Sequence, residues 1–289
     1  MIQNKIFLWN DREDVYLVSC ARNPENVITP RPAVLVISGG AYQFCTASEC
    51  EPVALRFMNM GYQAFVLYYS VGQFGKNPHD TAWPRPFLDA GAAILYIKDH
   101  AAEYGVDPTQ IAVAGFSAGG HLAAMCAVDW ENPILQETFQ RSSEDFQIQA
   151  AILVYPVLEF QHEDENILER IGTLLLGERF SDPAQVAAIT PKNLVSKKTV
   201  PCFLVHNLTD PTVPSADTMR FAITMREHGI PVEIHVFEAP GHGFSLADEG
   251  SAVYNVESMP ATAVWSELVK TWLKKRFTIE LVEPPHRHW

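Results

Sequence analysis

The sequence predicts an α/β fold, a mostly parallel central sheet with helices on both faces. Three observations carry this prediction. Short apolar, β-branched runs alternate along the chain with longer amphipathic stretches, the order expected of parallel strands joined by crossover helices. Most of the short runs are apolar without interruption, as strands covered on both faces should be. Three of the amphipathic stretches stop at a glycine, the residue that supplies the left-handed position closing a helix.

Strands are expected over 15–20, 33–38, 62–69, 111–114, 148–155, 202–206 and 232–237. Helices are expected over 52–60, 86–104 and 215–228, ending at Gly61, Gly105 and Gly229. About 45 residues separate the strand near Tyr155 from the one at Cys202. That far exceeds the usual connection of ~2–6 residues. The segment, about 156–200, is expected to form a small cap, the kind of insertion that shapes substrate pockets. It holds an amphipathic piece over 165–176, a helix start at Asp182-Pro183 and a break at Thr190-Pro191. A final helix over 256–277 precedes a Pro-rich tail, 281–289, too short to form a domain. The 289 residues suit two domains or one with an inserted cap, and the expectation is one domain over 1–280.

The composition narrows the function classes. A 47% hydrophobic, 19% charged chain can bury a large core, which excludes disorder, collagen and coiled coil. A formal charge of −13 repels phosphate backbones and anionic lipid, so neither nucleic acid nor a membrane is an expected partner. No apolar run approaches the ~18 residues a membrane span needs. Acidic residues at Asp11, Glu13 and Asp14 arrive before an apolar core of signal-peptide length, so a cytoplasmic location is expected. Cys20, Cys45, Cys50, Cys126 and Cys202 form an odd set without C-x-x-C and read as buried or incidental thiols. With no G-x-G-x-x-G or P-loop beside the strands, no cofactor is expected.

The strongest chemical signal is Gly115-Phe116-Ser117-Ala118-Gly119, a G-x-S-x-G between an apolar strand and a helix-like run from Gly120. Small residues flanking the sharp turn let the serine project its hydroxyl above the sheet. The helix N-terminus then offers the Ala118 amide to an oxyanion. The structural alternative is a tight turn with an inert serine. A serine hydroxyl is a poor nucleophile, so a base and a group to orient it are required. The strand over 202–206 runs into a loop bearing Asp210, and the strand over 232–237 runs into one bearing His242. In a parallel sheet such loops open on one edge, where residues remote in sequence converge. The order serine, acid, histidine is that of the α/β-hydrolases. Gly39 and Gly40 let the backbone turn and approach a substrate carbonyl closely, although a Gly-Gly pair also marks an ordinary loop.

On these residues the chain resembles an α/β-hydrolase esterase of the hormone-sensitive-lipase-like and acetyl-xylan-esterase-like group. The likeness covers nearly the whole chain and rests on Ser38-Gly39-Gly40-Ala41-Tyr42, GFSAGGHLAA at 115–124, TDPTVP at 209–214 and GHGF at 241–244. It implies Ser117 as nucleophile, Asp210 as orienting acid and His242 as general base, with backbone amides near Gly40, Ala41 and Ala118 as the oxyanion hole. Ser38 departs from the pattern, since many relatives carry histidine or proline there. The resemblance also implies short-acyl esters as substrates, with acetylated xylo-oligosaccharides preferred. Tyr42, Phe44, Phe74, Trp83 and Phe87 could then form a sugar-stacking wall, Tyr42 and Trp83 foremost, or be core aromatics.

Other polar residues have plainer readings. His121 is expected to pack locally, because the serine needs a partner from another loop. His206 ends a strand, with a place beside the pocket as its alternative. Asp89 is read as a structural carboxylate at the positive end of a helix. His286 and His288 make a weak metal site, so no metal is expected. Glu238 is a backup acid too near His242 in sequence to reach it comfortably. The rivals to an esterase are a peptidase or amidase, disfavoured because the chain has no room for a propeller domain, and a binding module, disfavoured by the intact triad. The final helix and tail make a homo-oligomer plausible.

Overall fold

The computed structural model describes residues 3–23, 29–73, 81–160, 167–251 and 260–280. Its strands are β1 (Lys5–Trp9), β2 (Arg12–Cys20), β3 (Arg31–Ile37), β4 (Gln63–Tyr68), β5 (Val106–Phe116), β6 (Ala150–Val154), β7 (Cys202–Thr209) and β8 (Val232–Pro240). They form one sheet in the order β1-β2-β4-β3-β5-β6-β7-β8. Among the described residues only the β1/β2 and β2/β4 pairings are antiparallel. From β4 to β8 every neighbour is parallel.

Alternation along the strands builds two cores. On β3, Leu35 and Ile37 face one way and pack with residues of α2 (Arg85–Asp99), α3 (Ser117–Val128), α4 (Pro133–Phe139) and α8 (Ser215–Glu227). Val34 and Val36 face the other way, toward α1 (Glu51–Asn59) and α10 (Trp265–Leu273), whose Trp265 and Trp272 are buried. Both faces are therefore covered, which is why the central strands read as unbroken apolar runs. Gly61, Gly105 and Gly229 all adopt positive φ at the ends of their helical segments.

Several boundaries differ from expectation. β1 was not anticipated; among the described residues it is an edge strand paired with β2 alone, across a two-residue turn at Asn10-Asp11. α4 was also missed, although Asn132 caps it by accepting from the Ile134 amide and Pro133 opens it. The stretch expected as one helix over 86–104 ends at Asp99, and a separate tight turn over Ala101–Tyr104 reaches Gly105. The last helix comprises α9 (Pro260–Ala263) and α10, with 256–259 outside the described residues. Phe74, residues 161–166, and the tail with His286 and His288 also lie outside them.

The segment expected as a cap carries α5 (Ile167–Leu176), α6 (Pro183–Ala188) and α7 (Pro191–Leu194). Asp182 caps α6 through the Ala184 amide. The carboxylate of Glu159, just after β6, pairs with Lys192 of α7 and Arg220 of α8, tying this segment to the body. Among the described residues no helix is long and apolar enough to cross a membrane.

Candidate active site

β5, β6, β7 and β8 are parallel and end on one edge of the sheet, and the loops leaving them carry the candidate residues. Ser117 sits where β5 turns directly into α3, with φ of +51°. A serine in the left-handed region is strained, and the glycines around it show what holds it there. A Cβ on Gly115 would lie 2.2 Å from the Gly119 carbonyl oxygen, and one on Gly119 would lie 2.3 Å from the oxygens of Ile37 and Ser38. The first turn of α3 thus presses against the end of β3. Gly39 packs from the other side, where a Cβ would meet that of Ser117 at 2.8 Å.

The structure brings the serine, histidine and aspartate together. His242 Nε2 lies 2.8 Å from Ser117 Oγ, and its Nδ1 lies 2.7 Å from Asp210 Oδ2. The carboxylate can only accept at Nδ1, which leaves the Nε2 lone pair facing the serine hydroxyl. Asp210 Oδ1 accepts from the amides of Thr212 at 2.8 Å and Val213 at 3.0 Å. Burial alone would raise the Asp210 carboxyl, but hydrogen bonds from His206 and His242 outweigh it and hold the group well below the usual carboxylate range.

His206 is a direct partner of the acid. Its Nε2 approaches Asp210 Oδ2 and the Val213 carbonyl, each at 3.1 Å, while Nδ1 meets Thr218 Oγ1 at 2.8 Å. Because the Val213 carbonyl only accepts, Nε2 carries the proton and Nδ1 accepts from the threonine hydroxyl. Asn207 fixes the histidine loop: its amide nitrogen donates to the Pro240 carbonyl, and its oxygen accepts from the Thr262 hydroxyl. Glu238 is exposed and plays no part in this set.

Two further residues escaped the sequence reading. Glu49 is buried, its Oε2 accepting the Gly39 amide at 2.6 Å and its Oε1 the Tyr155 hydroxyl at 2.7 Å. Tyr155 in turn accepts the Ser245 amide at 2.9 Å and sets its ring edge-on to His242, 4.8 Å between centroids. Neither residue carries a local sequence signal. The Gly39 amide is therefore committed to Glu49, and the chain turns at Gly40, Ala41 and Tyr42, all at positive φ. The Tyr69 hydroxyl anchors this loop by donating to the Ser38 carbonyl at 2.9 Å. The Ser38 side chain is buried beside the Cys45 and Cys50 thiols.

The aromatic wall needs correction. Tyr42 is 0% exposed and its hydroxyl meets His121 Nδ1 at 2.6 Å, so it is a core residue with no face for a sugar. Phe87 is likewise buried, under a stacked Trp83. Trp83 is half-buried and Phe44 is 45% exposed, which leaves these two of the five able to meet a ligand among the described residues. Asp89 is structural for a different reason than its position in a helix. It is buried in the second turn of α2, accepting from the Trp9 indole at 2.8 Å and from the Ser70 amide at 2.9 Å. His121 is buried between Tyr42 and the Ile189 carbonyl, and burial pushes its imidazole down to about 4. Among the described residues no group of His, Cys, Asp or Glu could hold a metal ion.

Comparison with known proteins gives the family. A family model described as BD-FAE matches residues 20–225. The chain belongs to the BD-FAE family. It is 30% identical over 223 residues to esterase LipQ of Mycobacterium tuberculosis, an alignment covering 75% of this chain and 51% of that protein. It is 25% identical over 220 residues to an acetylxylan esterase of Xylanibacter ruminicola, covering 74% of this chain and 41% of that one. The chain thus spans about half the length, or less, of these two curated relatives. A crystal structure of an acetyl ester-xyloside bifunctional hydrolase from Caldicellulosiruptor lactoaceticus is 29% identical, covers 94% of this chain and 96% of that one, and superposes with a TM-score of 0.77. The fold of this BD-FAE member is that of the α/β-hydrolases.

Proposed function

We propose that this BD-FAE member is a serine hydrolase of carboxylic esters, acting on short acyl groups and, by preference, on acetyl groups of xylo-oligosaccharides. The observation that carries the reading is the chain of contacts from Ser117 Oγ to His242, 2.8 Å, and from His242 to Asp210, 2.7 Å. His242 takes the serine proton as the hydroxyl attacks the ester carbonyl, and the amides of Gly40, Ala41 and Ala118 receive the developing oxyanion. Collapse of the tetrahedral species expels the alcohol, which leaves with the proton from His242. Water, deprotonated by the same imidazole, then releases the acid from the acyl-serine. Asp210 fixes the tautomer and stabilises the imidazolium, while the donors around it keep it ionised.

Support for an acetylated carbohydrate comes from the names of relatives, an acetylxylan esterase and an acetyl ester-xyloside hydrolase, and from the part-exposed aromatics Trp83 and Phe44. The test is acyl release from p-nitrophenyl acetate, butyrate and octanoate and from acetylated xylo-oligosaccharides, with Ser117→Ala alongside. The expected result is a preference for acetyl, fastest on the oligosaccharides, with turnover lowered on the order of 10⁶-fold by the substitution. Acetylated sugars no faster than aryl acetates remove the carbohydrate assignment. Near-wild-type release by Ser117→Ala removes the esterase assignment itself.

A further inference from the structure

Glu49 sits at a junction that the reaction scheme above does not use. It lies ahead of α1, its side chain buried, with one oxygen on the Gly39 amide and the other on the Tyr155 hydroxyl. Burial raises the Glu49 carboxyl, and both contacts are donors that act against this and favour the ionised form. Gly39 is no passive partner, since it stands against the Ser117 Cβ and immediately precedes Gly40 and Ala41. Tyr155 extends the link, holding the Ser245 amide three residues after His242 and packing its ring against that imidazole. Ser245 also donates its hydroxyl to the Ser48 carbonyl, one residue before Glu49, which closes the circuit. One carboxylate thus joins the turn beside the nucleophile to the loop of the base.

We infer that Glu49 is a positioning residue for acyl transfer: through Gly39 it sets the turn whose next amides meet the oxyanion, and through Tyr155 it sets the His242 ring and adds negative charge that favours the imidazolium. The inference rests on the esterase reading of Ser117 and His242. The groups facing His242 are Ser117 from the elbow, Asp210 from the β7 loop with His206 behind it, and Tyr155 from the end of β6. Those facing Glu49, besides Tyr155, are Cys45 and Tyr69, whose thiol and phenol are both pushed up by burial and so remain neutral. Glu49 and Asp210 are therefore the two anions acting on the imidazole in this set.

The experiment compares wild type, Glu49→Gln, Tyr155→Phe and Ser117→Ala on p-nitrophenyl acetate across pH, and follows the His242 imidazole by proton NMR. Glutamine keeps the shape and removes the charge. The expected result is a kcat about 10–100-fold lower for Glu49→Gln, the size expected when reacting groups are displaced by up to about 1 Å, with KM within about threefold. The acid limb of kcat/KM and the NMR midpoint of His242 both move to lower pH. Tyr155→Phe lowers kcat as well but keeps the Glu49 charge, so its acid limb stays near that of wild type. Glu49→Gln with kcat within about twofold of wild type and an unmoved limb, while Ser117→Ala is inactive, overturns the inference and leaves the esterase reading standing. Were wild type to show no Ser117-dependent release, that reading fails. The inference rests on it and falls with it. Should Glu49→Gln not fold, Tyr155→Phe decides, and an undiminished kcat in that variant overturns the inference.

Discussion

At the scale of single residues, the buried polar groups of this protein fall into sets with opposite responses to pH. Asp210 is held low by its donors, so its contribution to stability is present above the ordinary carboxylate pKa and is lost only as pH falls toward its depressed value. Glu49 and Asp89 are raised by burial and respond in the reverse direction. His121 adds a third behaviour. Burial lowers its imidazole from 6.5 to about 4, so between those values the unfolded chain binds a proton that the folded chain does not. Folding stability should therefore fall as pH drops from 6.5 to 4, by up to roughly 3 kcal/mol from this group. Urea denaturation of wild type and His121→Gln across that range checks the sign, since the variant should lose this part of the slope. Equal slopes would remove His121 as a buried neutral imidazole. The local reading of His121 was available from the sequence because the elbow's base must come from another loop. Its partners Tyr42 and Ile189 were not, being 79 and 68 residues away.

At the scale of elements, legibility followed covering. The strands from β3 to β7 were readable because helices cover both faces, which leaves an unbroken apolar run in the sequence. β1 escaped because it pairs with β2 alone and alternates in exposure, and the Asn10-Asp11 turn was the one sign available. The serine, acid and histidine were legible because each follows a strand in a parallel sheet. Glu49, Tyr155 and Asn207 were not, since their roles exist only in contacts spanning 10 to 106 residues. The elbow supplies the prediction at this scale. Gly119→Ala places a methyl group 2.3 Å from two backbone oxygens of β3 and its following residue, which cannot swing aside as a side chain would. The expected cost is about 1–3 kcal/mol by chemical denaturation, with a loss of ester turnover as Ser117 shifts. An unchanged denaturation midpoint would contradict the close seating of α3 on β3.

At the scale of the whole molecule, the sheet does the assembling. Residues near 117, 155, 210 and 242 meet because β5, β6, β7 and β8 run parallel and release their loops at one edge. The chain's net charge of −13 is unfavourable to polyanionic ligands at long range. Substrate choice was the least legible property, because the aromatics that suggested a sugar wall divide between core and surface only once the chain is folded. Tyr42 and Phe87 went to the core, while Trp83 and Phe44 stayed within reach of solvent. The whole proposed reaction depends on Ser117 being the nucleophile that carries the acyl group. Peptide mass spectrometry after treatment with a fluorophosphonate tests it most directly. One phosphonyl group per chain is expected, on the peptide bearing Ser117 and absent from Ser117→Ala; no label on wild type, or a label on another residue, would exclude Ser117 as the nucleophile.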